Sequence, residues 1–389
     1  MSSYAVCGRQ ARGSIILHLG HTFNLHAPLE PDSRTTVPPS PADTLSAYIV
    51  EPEFEPALDA ELGASSIRTP RWPGVLTRPS SSSAKPDPMF ARQSLPAATV
   101  VKVSDSAELP AKIAQEVLRQ LASSKNKDIA GLFVYTPHDG PFKSCTPLLA
   151  PTRTAVKQST SDAHYRLLPP DPKAILRAWG REAPCVQVAI VGRTSALVSA
   201  GIVPALNAGG FAVAPWAAGL PAITTDKQAP SRAYRKLEET FQWLGRAPRQ
   251  DETVVDLGGA PGGWAHTALK RGAFVTAVDR SPLAPPAAGH PRLNQIQGDA
   301  FAFVPPAPVD WLLCDVICEP PRSIDLIDRW AANGWCRNLV VTVKFKGPVG
   351  NHVVVEPIVA RLSALGFAFA RAKHMHNNHN EIEVFAYKS

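Results

Sequence analysis

The chain has 389 residues and a formal net charge of +7, and hydrophobic residues make up 44% of it. This length exceeds what one core commonly holds, so we expect at least two domains with ordinary globular cores. No segment is apolar for long enough to cross a bilayer and no secretory signal is evident, so we expect no membrane partner. The six cysteines lack a disulfide-like or Cys-x-x-Cys spacing, which predicts reduced thiols and a cytoplasmic location.

Residues 1–45 become rich in Pro, Ser and Thr towards their end and show no long periodicity, so we expect a weakly ordered extension. Residues 46–218 mix strand and helix patterns and predict an α+β region. Its predicted strands are 47–50, 99–103, 132–135 and 186–191, its helices are 54–62, 109–121 and 174–179, and residues 73–88 form a linker. Between Lys112 and Glu182 there are eleven Lys and Arg against six Asp and Glu. This excess fits RNA binding or a solvated basic surface equally well on charge alone.

Residues 225–389 alternate strands and helices, which favours an α/β fold with a doubly wound parallel sheet of the Rossmann-like type. Tyr234, Leu237, Phe241 and Leu244 share one helical face before the first strand. The predicted strands are 253–257, 274–278, 293–296, 311–316, 339–345, 367–373 and 381–387, and the helices are 234–244, 263–270, 324–332 and 353–365. Ligands of such sheets bind beyond the carboxyl ends of the strands.

A glycine-rich segment, Asp256 to Trp264, lies where the first of these strands meets the next helix. Glycines at this place allow a tight turn and a close approach of the backbone to a ligand. No Lys-Ser or Lys-Thr follows them, so the segment is not a P-loop, and its spacing departs from the dinucleotide motif.

Acidic residues mark the ends of three successive strands: Asp256, Asp279 and Asp299. Asp279 follows Asp256 by 23 residues, where a carboxylate can accept both hydroxyls of an adenosine ribose. Asp299 could accept a hydrogen bond from an adenine amino group. Taken singly each is more often a cap or turn residue, but three in register suit a ligand that combines adenosine with a cationic sulfonium.

The sequence resembles the FtsJ-type RNA 2′-O-methyltransferases in its glycine-rich segment, and resembles the RlmM-type enzymes over a wider region. The segments that carry this likeness are residues 90–93, 229–239, 256–264, 275–279 and 333–337. The resemblance is specific over residues 221–387, thinner over 47–218 and absent before 47. It implies a class I methyltransferase domain in residues 225–389, S-adenosyl-L-methionine as cofactor, and a THUMP-like RNA-binding module in residues 46–218. It also implies a cytidine ribose of 23S ribosomal RNA as the substrate, with no obligate protein partner evident.

The family's catalytic tetrad, Lys-Asp-Lys-Glu, matches Lys236, Asp315, Lys344 and Glu381. Glu383 competes for the fourth place, because it is two residues away on the same face of a strand. The cofactor-binding residues that the motifs and the resemblance indicate are Ser231, Asp256, Gly258, Ala260, Pro261, Gly262, Gly263, Trp264, Asp279, Asp299 and Asp315.

A lysine can deprotonate a ribose hydroxyl only when its own amine is neutral, and burial or a nearby cation favours that form. We expect Lys344 and Lys236 each to raise the cost of charging the other, with Asp315 and Glu381 orienting the amines. Taken alone, Lys344 would more often be a strand-end lysine that snorkels to solvent. His374, His376 and His379 share one loop but have no carboxylate or Cys to complete a typical metal site, so we expect a polar loop facing RNA or cofactor.

Three other functions stay open at this point. The chain could methylate another RNA such as transfer RNA, it could be a non-catalytic RNA-binding or ribosome assembly factor, or it could methylate a small molecule. Gly259 and Ala260 stand where the family has Ala-Cys, and the segment after Lys344 is shorter and less basic than in the RlmM-type enzymes. These departures leave the proposed chemistry intact and concern the RNA target. The tetrad argues against loss of catalysis, and the basic region argues against a small-molecule substrate.

Overall fold

Two large β-sheets organise the described part of the chain. The computed structural model describes residues 44–63, 72–80, 85–207, 209–345 and 354–389. The extension predicted for residues 1–45 therefore lies outside the described residues, apart from its last two. Every helix among the described residues is too short or too polar to span a bilayer.

The first sheet has six strands in the order β2-β1-β3-β8-β7-β5, and a separate pair joins β4 to β6. Its neighbours run antiparallel except β5 and β7, which are parallel. The strands are β1 Leu45–Ile49, β2 Val75–Pro79, β3 Gln93–Lys102, β4 Asp128–Ile129, β5 Gly131–Tyr135, β6 Arg166–Leu167, β7 Cys185–Gly192 and β8 Ser195–Gly201. The helices of this region are α1 Glu55–Leu62, α2 Leu109–Leu121, α3 Asp139–Phe142, α4 Leu149–Asp162 and α5 Pro172–Trp179.

The apolar periodicity of α2 is the clearest link between sequence and packing in this region. Ile113, Val117 and Leu121 are fully buried on one face, and Pro110 lies in the first turn, where its missing N–H costs nothing. This face packs on the sheet, in a core that also takes in α4. The α+β composition predicted for residues 46–218 is therefore present.

The main differences from the sequence-based expectation in this region concern β2, α4 and β8. The linker predicted over residues 73–88 is wrong in part, because Val75–Pro79 forms β2, an edge strand that pairs with β1 and tolerates its terminal proline. Helix α4 was not predicted, since Thr152 and Thr160 occupy buried positions where apolar residues would show the period. Strand β8 was not predicted either, because its small residues mask the pattern of a buried strand.

The second sheet has seven strands in the order β11-β10-β9-β12-β13-β15-β14. These strands are β9 Thr253–Leu257, β10 Phe274–Asp279, β11 Leu293–Gln297, β12 Val309–Cys314, β13 Cys336–Lys344, β14 Phe367–Lys373 and β15 Glu381–Lys388. Its helices are α6 Tyr234–Leu244, α7 Gly263–Leu269, α8 Pro320–Ala332 and α9 Glu356–Ala364. Strands β9 to β13 are parallel, as predicted, but β15 runs antiparallel to both of its neighbours. The all-parallel expectation is wrong there, because the short connection between β14 and β15 permits only an antiparallel pair.

Residues of the parallel strands alternate between two cores, as expected for a sheet covered on both faces. One row packs with α8 and α9, for example Leu312 and Val341, together with Tyr48 and Phe90 from the N-terminal part of the chain. The other row packs with α6 and α7, for example Leu313, Val340 and Phe385. This second row continues at or just beyond the strand ends with Asp315, Lys344 and Glu381. The α6-covered face of the sheet therefore leads directly to the predicted tetrad.

Candidate active site

A cavity of about 430 Å³ opens at the carboxyl ends of β9, β10, β12 and β13. It is bounded by the glycine-rich turn between β9 and α7 and by the segment that follows β12. Its lining residues are Ser231, Ala233, Asp256, Gly258, Gly259, Ala260, Pro261, Gly263, Trp264, Asp279, Asp315, Val316, Ile317 and Lys344. Most of the predicted cofactor residues therefore line one cavity, and two tetrad members form part of its wall.

Two glycines of the turn are required by close packing. Gly258 has φ +74°, and a Cβ there would lie 2.3 Å from Val316 Cγ2. A Cβ on Gly263 would lie 2.4 Å from the Ser231 hydroxyl. The turn can therefore approach the segments after β12 and before α6 only without side chains at these positions.

Asp256 supplies a buried carboxylate at the base of the cavity. Neither of its side-chain oxygens has a hydrogen-bond partner among the described residues, although the Ala265 amide lies near. The pKa of Asp256 is raised to about 7, chiefly by burial and in part by the charges of Asp315 and Asp279, although the Ala265 amide acts in the opposite direction. A buried carboxylate without partners is suited to a cationic ligand group, which would stabilise its charged form.

Asp279 fixes the turn to the end of β10. Its Oδ2 accepts a hydrogen bond from the Ala260 amide at 3.0 Å, and its Oδ1 accepts one from the Ser281 amide at 2.8 Å. Each carboxylate oxygen can accept a further bond, so the residue can still bind ligand hydroxyls.

Three predicted cofactor residues differ from the others in their surroundings. Gly262, with φ +113°, caps α7 outside the cavity lining. Trp264 is buried, and its indole Nε1 donates to the Ala233 carbonyl at 3.0 Å, which ties α7 to the start of α6. Asp299 also lies outside the lining and pairs with Arg280 at 3.0 Å and with Arg322 at 4.0 Å. Its contact with an adenine remains a prediction.

The four predicted tetrad residues meet beside the cavity. Lys236 Nζ lies 3.0 Å from both oxygens of Asp315 and 3.0 Å from Glu381 Oε1. Lys344 Nζ lies 2.9 Å from Asp315 Oδ1 and 3.9 Å from Glu381 Oε2. The two amines thus share one oxygen of Asp315. Two ammonium groups and two carboxylates placed this way balance in charge.

The two lysines differ in exposure and surroundings. The Lys236 side chain is 9% exposed and that of Lys344 is 21% exposed and lines the cavity. Burial lowers the pKa of Lys236, but the charges of Glu383, Asp315 and Glu381 outweigh burial and raise it above the ordinary lysine value. Lys236 therefore holds its proton, because three carboxylates surround it, while the expected repulsion between the two lysines stays a prediction.

The register of β13 and β15 distinguishes Glu381 from Glu383. Lys344 pairs with Glu381, whereas Thr342 pairs with Glu383 one step deeper in the sheet. Glu381 contacts both lysines, while Glu383 accepts hydrogen bonds from Thr342 and Asn378. Glu381 therefore lies within ion-pair distance of both lysines, and its place as the fourth tetrad member stays a prediction.

The loop between β14 and β15 connects the tetrad to the N-terminal part of the chain. The His376 ring bonds Glu51 through Nδ1 at 2.7 Å, and His374 lies against the Phe54 ring at 3.9 Å. The amides of His376 and Asn377 donate to Glu239, one helical turn after Lys236. His374 is thus buried and does not face RNA or cofactor as expected, whereas His376 is half exposed and that expectation stays a prediction for it.

Sequence reasoning missed Glu51, Glu239 and Asn378. None carries a periodic or motif signal, although Glu239 lies on the same helix as Lys236. Their roles depend on contacts between segments far apart in the chain.

The comparisons with known proteins agree with this geometry. The family described as FtsJ-like methyltransferase matches residues 229–344. The chain is 38% identical over 182 residues to the ribosomal RNA large subunit methyltransferase M of Laribacter hongkongensis, a match that covers 44% of this chain and 52% of that protein. It is 26% identical over 359 residues to the protein of the same name from Thauera aminoaromatica, over 88% of this chain and 86% of that protein. The chain thus matches about half the length of the first relative and most of the second, and the predicted resemblance is confirmed.

Solved structures also show partial similarity. A ribosomal RNA methyltransferase from Plasmodium falciparum is 16% identical, with a TM-score of 0.33, over 41% of this chain and 97% of that chain. The strand order and the two cores of the second sheet establish its α/β fold.

Proposed function

We propose that this chain uses S-adenosyl-L-methionine to methylate a ribose 2′-hydroxyl in RNA, with a cytidine of 23S ribosomal RNA as the substrate. The observation that carries the proposal is the Lys236–Asp315–Lys344–Glu381 cluster at the wall of the glycine-lined cavity. The similarity to proteins named ribosomal RNA large subunit methyltransferase M supports the choice of substrate.

The cavity fits the proposed cofactor in shape and charge. The turn at Gly258 and Gly263 leaves no room for side chains, which suits close backbone contact with a ligand. Asp279 would accept from the ribose hydroxyls, and the unpartnered oxygens of Asp256 would face a cationic group of the methionine part. Ser231, Ala260, Pro261 and Asp315 would complete the site, and Asp299 would bind the adenine amino group. S-adenosyl-L-methionine would supply there a methyl group that needs no activation other than correct placement.

Lys344 is the proposed proton acceptor. It is the more exposed lysine of the pair and lines the cavity, so a ribose hydroxyl can reach its Nζ. Lys236 holds its proton beside three carboxylates, which leaves Lys344 as the amine of the pair that can act as the base. The neutral Lys344 amine takes the hydroxyl proton and becomes an ammonium ion, which Asp315 and Glu381 then stabilise.

The N-terminal region is the proposed RNA-binding part, a THUMP-like module within residues 46–218. Its basic excess, including the exposed Lys112 on α2 and Lys157 on α4, suits contacts with phosphates. The loop that joins Glu51 to the tetrad strand β15 would link RNA binding to the catalytic cluster. We place the activity in the cytoplasm, because the described cysteines are free thiols.

Transfer of labelled methyl from the cofactor to different RNAs tests this function. The full chain is incubated with large-subunit ribosomal RNA, with transfer RNA and without RNA. We expect label in the ribosomal RNA alone. Label in transfer RNA would show that transfer RNA is the substrate instead. If the chain binds cofactor and RNA but transfers no methyl group under any condition, it would be a non-catalytic assembly factor.

A further inference from the structure

Glu239, three residues after Lys236 on α6, has no part in the transfer described above. The residue is almost fully buried, at 1% exposure. A carboxylate at such a position is costly to the fold unless hydrogen bonds replace those that it would make with water. Among the described residues, the hydrogen bonds that its side chain accepts all come from one loop, residues 374–380 between β14 and β15. The role of this carboxylate therefore concerns that loop.

Three N–H groups of two adjacent residues converge on the Glu239 carboxylate. The His376 amide donates to Oε1 at 2.9 Å, the Asn377 amide donates to Oε2 at 3.1 Å, and Asn377 Nδ2 donates to Oε2 at 2.8 Å. Both oxygens therefore accept, and a carboxylate has an acceptor at both of these positions. A glutamine would turn an NH2 group towards at least one of the donors, so the loop requires glutamate here.

Asn378, the next residue, connects the loop to Glu381. Its Nδ2 donates to Glu381 Oε1 at 3.3 Å, and the His379 amide donates to the same oxygen at 3.4 Å. Glu381 Oε1 in turn lies 3.0 Å from Lys236 Nζ. The series of contacts that starts from α6 at Glu239 therefore returns to α6 at Lys236.

Among the described residues, the loop is hydrogen-bonded to α6 only through Glu239. Its other bonds outside the loop and β15 join it to Met89 and Glu51 of the N-terminal part and to Phe345 after β13. None of these contacts sets the distance between the loop and Lys236. The helix does so, because three residues of an α-helix have a fixed spacing of about 4.5 Å along its axis.

We propose that Glu239 is a positioning residue of the methyl-transfer site, which holds the loop between β14 and β15 to α6 and so fixes the Glu381 carboxylate against Lys236. The proposal rests on the function proposed above. Glu239 is buried and lies outside the cavity lining, so we assign it no contact with RNA or cofactor. Its effect on transfer passes through the loop.

Loss of this contact should affect the rate of transfer and not the binding of either substrate. The Glu239 carboxylate is bonded neither to the glycine-rich turn nor to the N-terminal region, so both affinities should be kept. A displaced Glu381 would leave Lys236 and Lys344 less well oriented towards the ribose hydroxyl. Misplacement by about 1 Å can cost about 100-fold in rate, so we expect kcat to fall by about 10- to 100-fold.

The test compares kcat, KM for large-subunit ribosomal RNA and calorimetric cofactor affinity in the wild-type chain and in Glu239→Gln. Glu238→Gln is the matched control. It removes the same charge from the adjacent position of α6, but Glu238 pairs with Arg271, at 2.9 Å and 2.6 Å, and not with the loop. In Glu239→Gln kcat should fall as stated, with KM and cofactor affinity within about twofold of wild type. In Glu238→Gln all three should stay within about twofold of wild type.

A double variant tests the route through the loop. Asn378→Ala removes the side chain that connects the loop to Glu381, so it interrupts the same series of contacts as Glu239→Gln. The double variant should therefore be no slower than the slower of the two single variants. Losses that multiply fully would show that the two residues act independently, and would overturn the proposal.

Amide hydrogen exchange in the cofactor-free chain measures the attachment of the loop without any turnover. Exchange in residues 374–380 should be faster in Glu239→Gln than in the wild type or in Glu238→Gln. If Glu239→Gln does not fold, Asn377→Ala replaces it. This variant removes only the Asn377 Nδ2 bond and should change kcat and exchange in the same direction but by less.

Unchanged exchange, an unchanged kcat, or an equal fall of kcat in Glu238→Gln would each overturn the proposal. Failure of the wild-type chain to methylate any RNA would refute the proposed function instead. The exchange rates would then still decide whether Glu239 holds the loop.

Discussion

The two sides of the active site are built in different ways. The cofactor side is a continuous turn, residues 256–264, whose geometry depends on backbone conformation and on glycines that leave space. The tetrad side brings together residues from α6, from the end of β12, from β13 and from β15, through ion pairs between side chains. Because different atoms build them, the two sides should respond separately to substitution, one in cofactor affinity and the other in methyl transfer.

The largest difference between the effect on methyl transfer and the effect on cofactor affinity is expected for substitutions of Lys344. Lys344→Ala removes the proton acceptor, so single-turnover methyl transfer should fall by about 10²- to 10⁴-fold. Calorimetry should show cofactor affinity close to the wild-type value, because the turn and Asp279 are untouched. Lys344→Arg should be as impaired as Lys344→Ala, since a guanidinium keeps its charge and cannot accept a proton.

Two outcomes for these variants would break the separation. Transfer within a few-fold of wild type in Lys344→Ala would exclude this lysine as the base. Substantial transfer in Lys344→Arg would indicate a purely electrostatic role for the positive charge.

The opposite pattern is expected for Asp279. Asp279→Ala removes the acceptor for ribose hydroxyls and the bond that holds the Ala260 amide, at a cost of about 1.5–3 kcal/mol in binding. Calorimetry should therefore show cofactor affinity about 10- to 100-fold weaker, with a smaller loss of transfer at saturating cofactor. Asp325→Ala on the exposed side of α8 is the control and should bind as the wild type does. Unchanged affinity in Asp279→Ala would remove this residue from the cofactor site.

The free energy of unfolding should depend on pH through Asp256, the buried carboxylate on the cofactor side. Asp256 has a folded pKa of about 7 against an ordinary value of 3.8, so the folded state binds the proton more tightly. Protonation of Asp256 therefore stabilises the folded state fully below pH 4, and this contribution is lost as the pH rises to 7. Asp256→Asn, which cannot ionise, should raise the free energy of unfolding at pH 8 by a few kcal/mol at most, relative to wild type, and by much less at pH 5.

Urea denaturation of the cofactor-free chain at the two pH values measures this difference. An equal effect of Asp256→Asn at pH 5 and pH 8 would show that the Asp256 carboxyl does not titrate in this range.

The smallest effect is expected far from both sides, in the basic N-terminal region. Lys157→Glu on α4 should weaken binding of the full chain to ribosomal RNA several-fold and reduce its dependence on salt, as expected for loss of a phosphate contact. Arg337→Glu makes the same change of charge at an exposed position near the amino end of β13, opposite the cavity. Equal weakening by both substitutions would indicate a general charge effect instead of a local RNA site.

The two sides also differ in how far the sequence predicts them. The turn was predicted as a unit, because its glycines and acidic residues are contiguous and follow a clear strand pattern. The tetrad needed a family resemblance, since nothing in the spacing of Lys236, Asp315 and Lys344 indicates that they meet. Glu381 and Glu383 could not be separated from the sequence, because both lie on one face of β15, and the pairing of Lys344 with Glu381 is a property of strand register.

In the N-terminal region, too, local sequence patterns predict some elements but not the contacts between distant segments. Helix α2 was predicted to the residue from its apolar period, whereas α4, with threonines at buried positions, was not. The contact of His376 with Glu51 joins residues 325 positions apart, and no local pattern predicts it.

The position of the transferred methyl group is the most direct measurement. Large-subunit ribosomal RNA is methylated with labelled cofactor by the full chain, digested to nucleosides and analysed by mass spectrometry. We expect the label in 2′-O-methylcytidine, and no labelled nucleoside with Lys344→Ala. A methyl group on a base atom would contradict the assignment of Lys344 as the acceptor of a ribose proton.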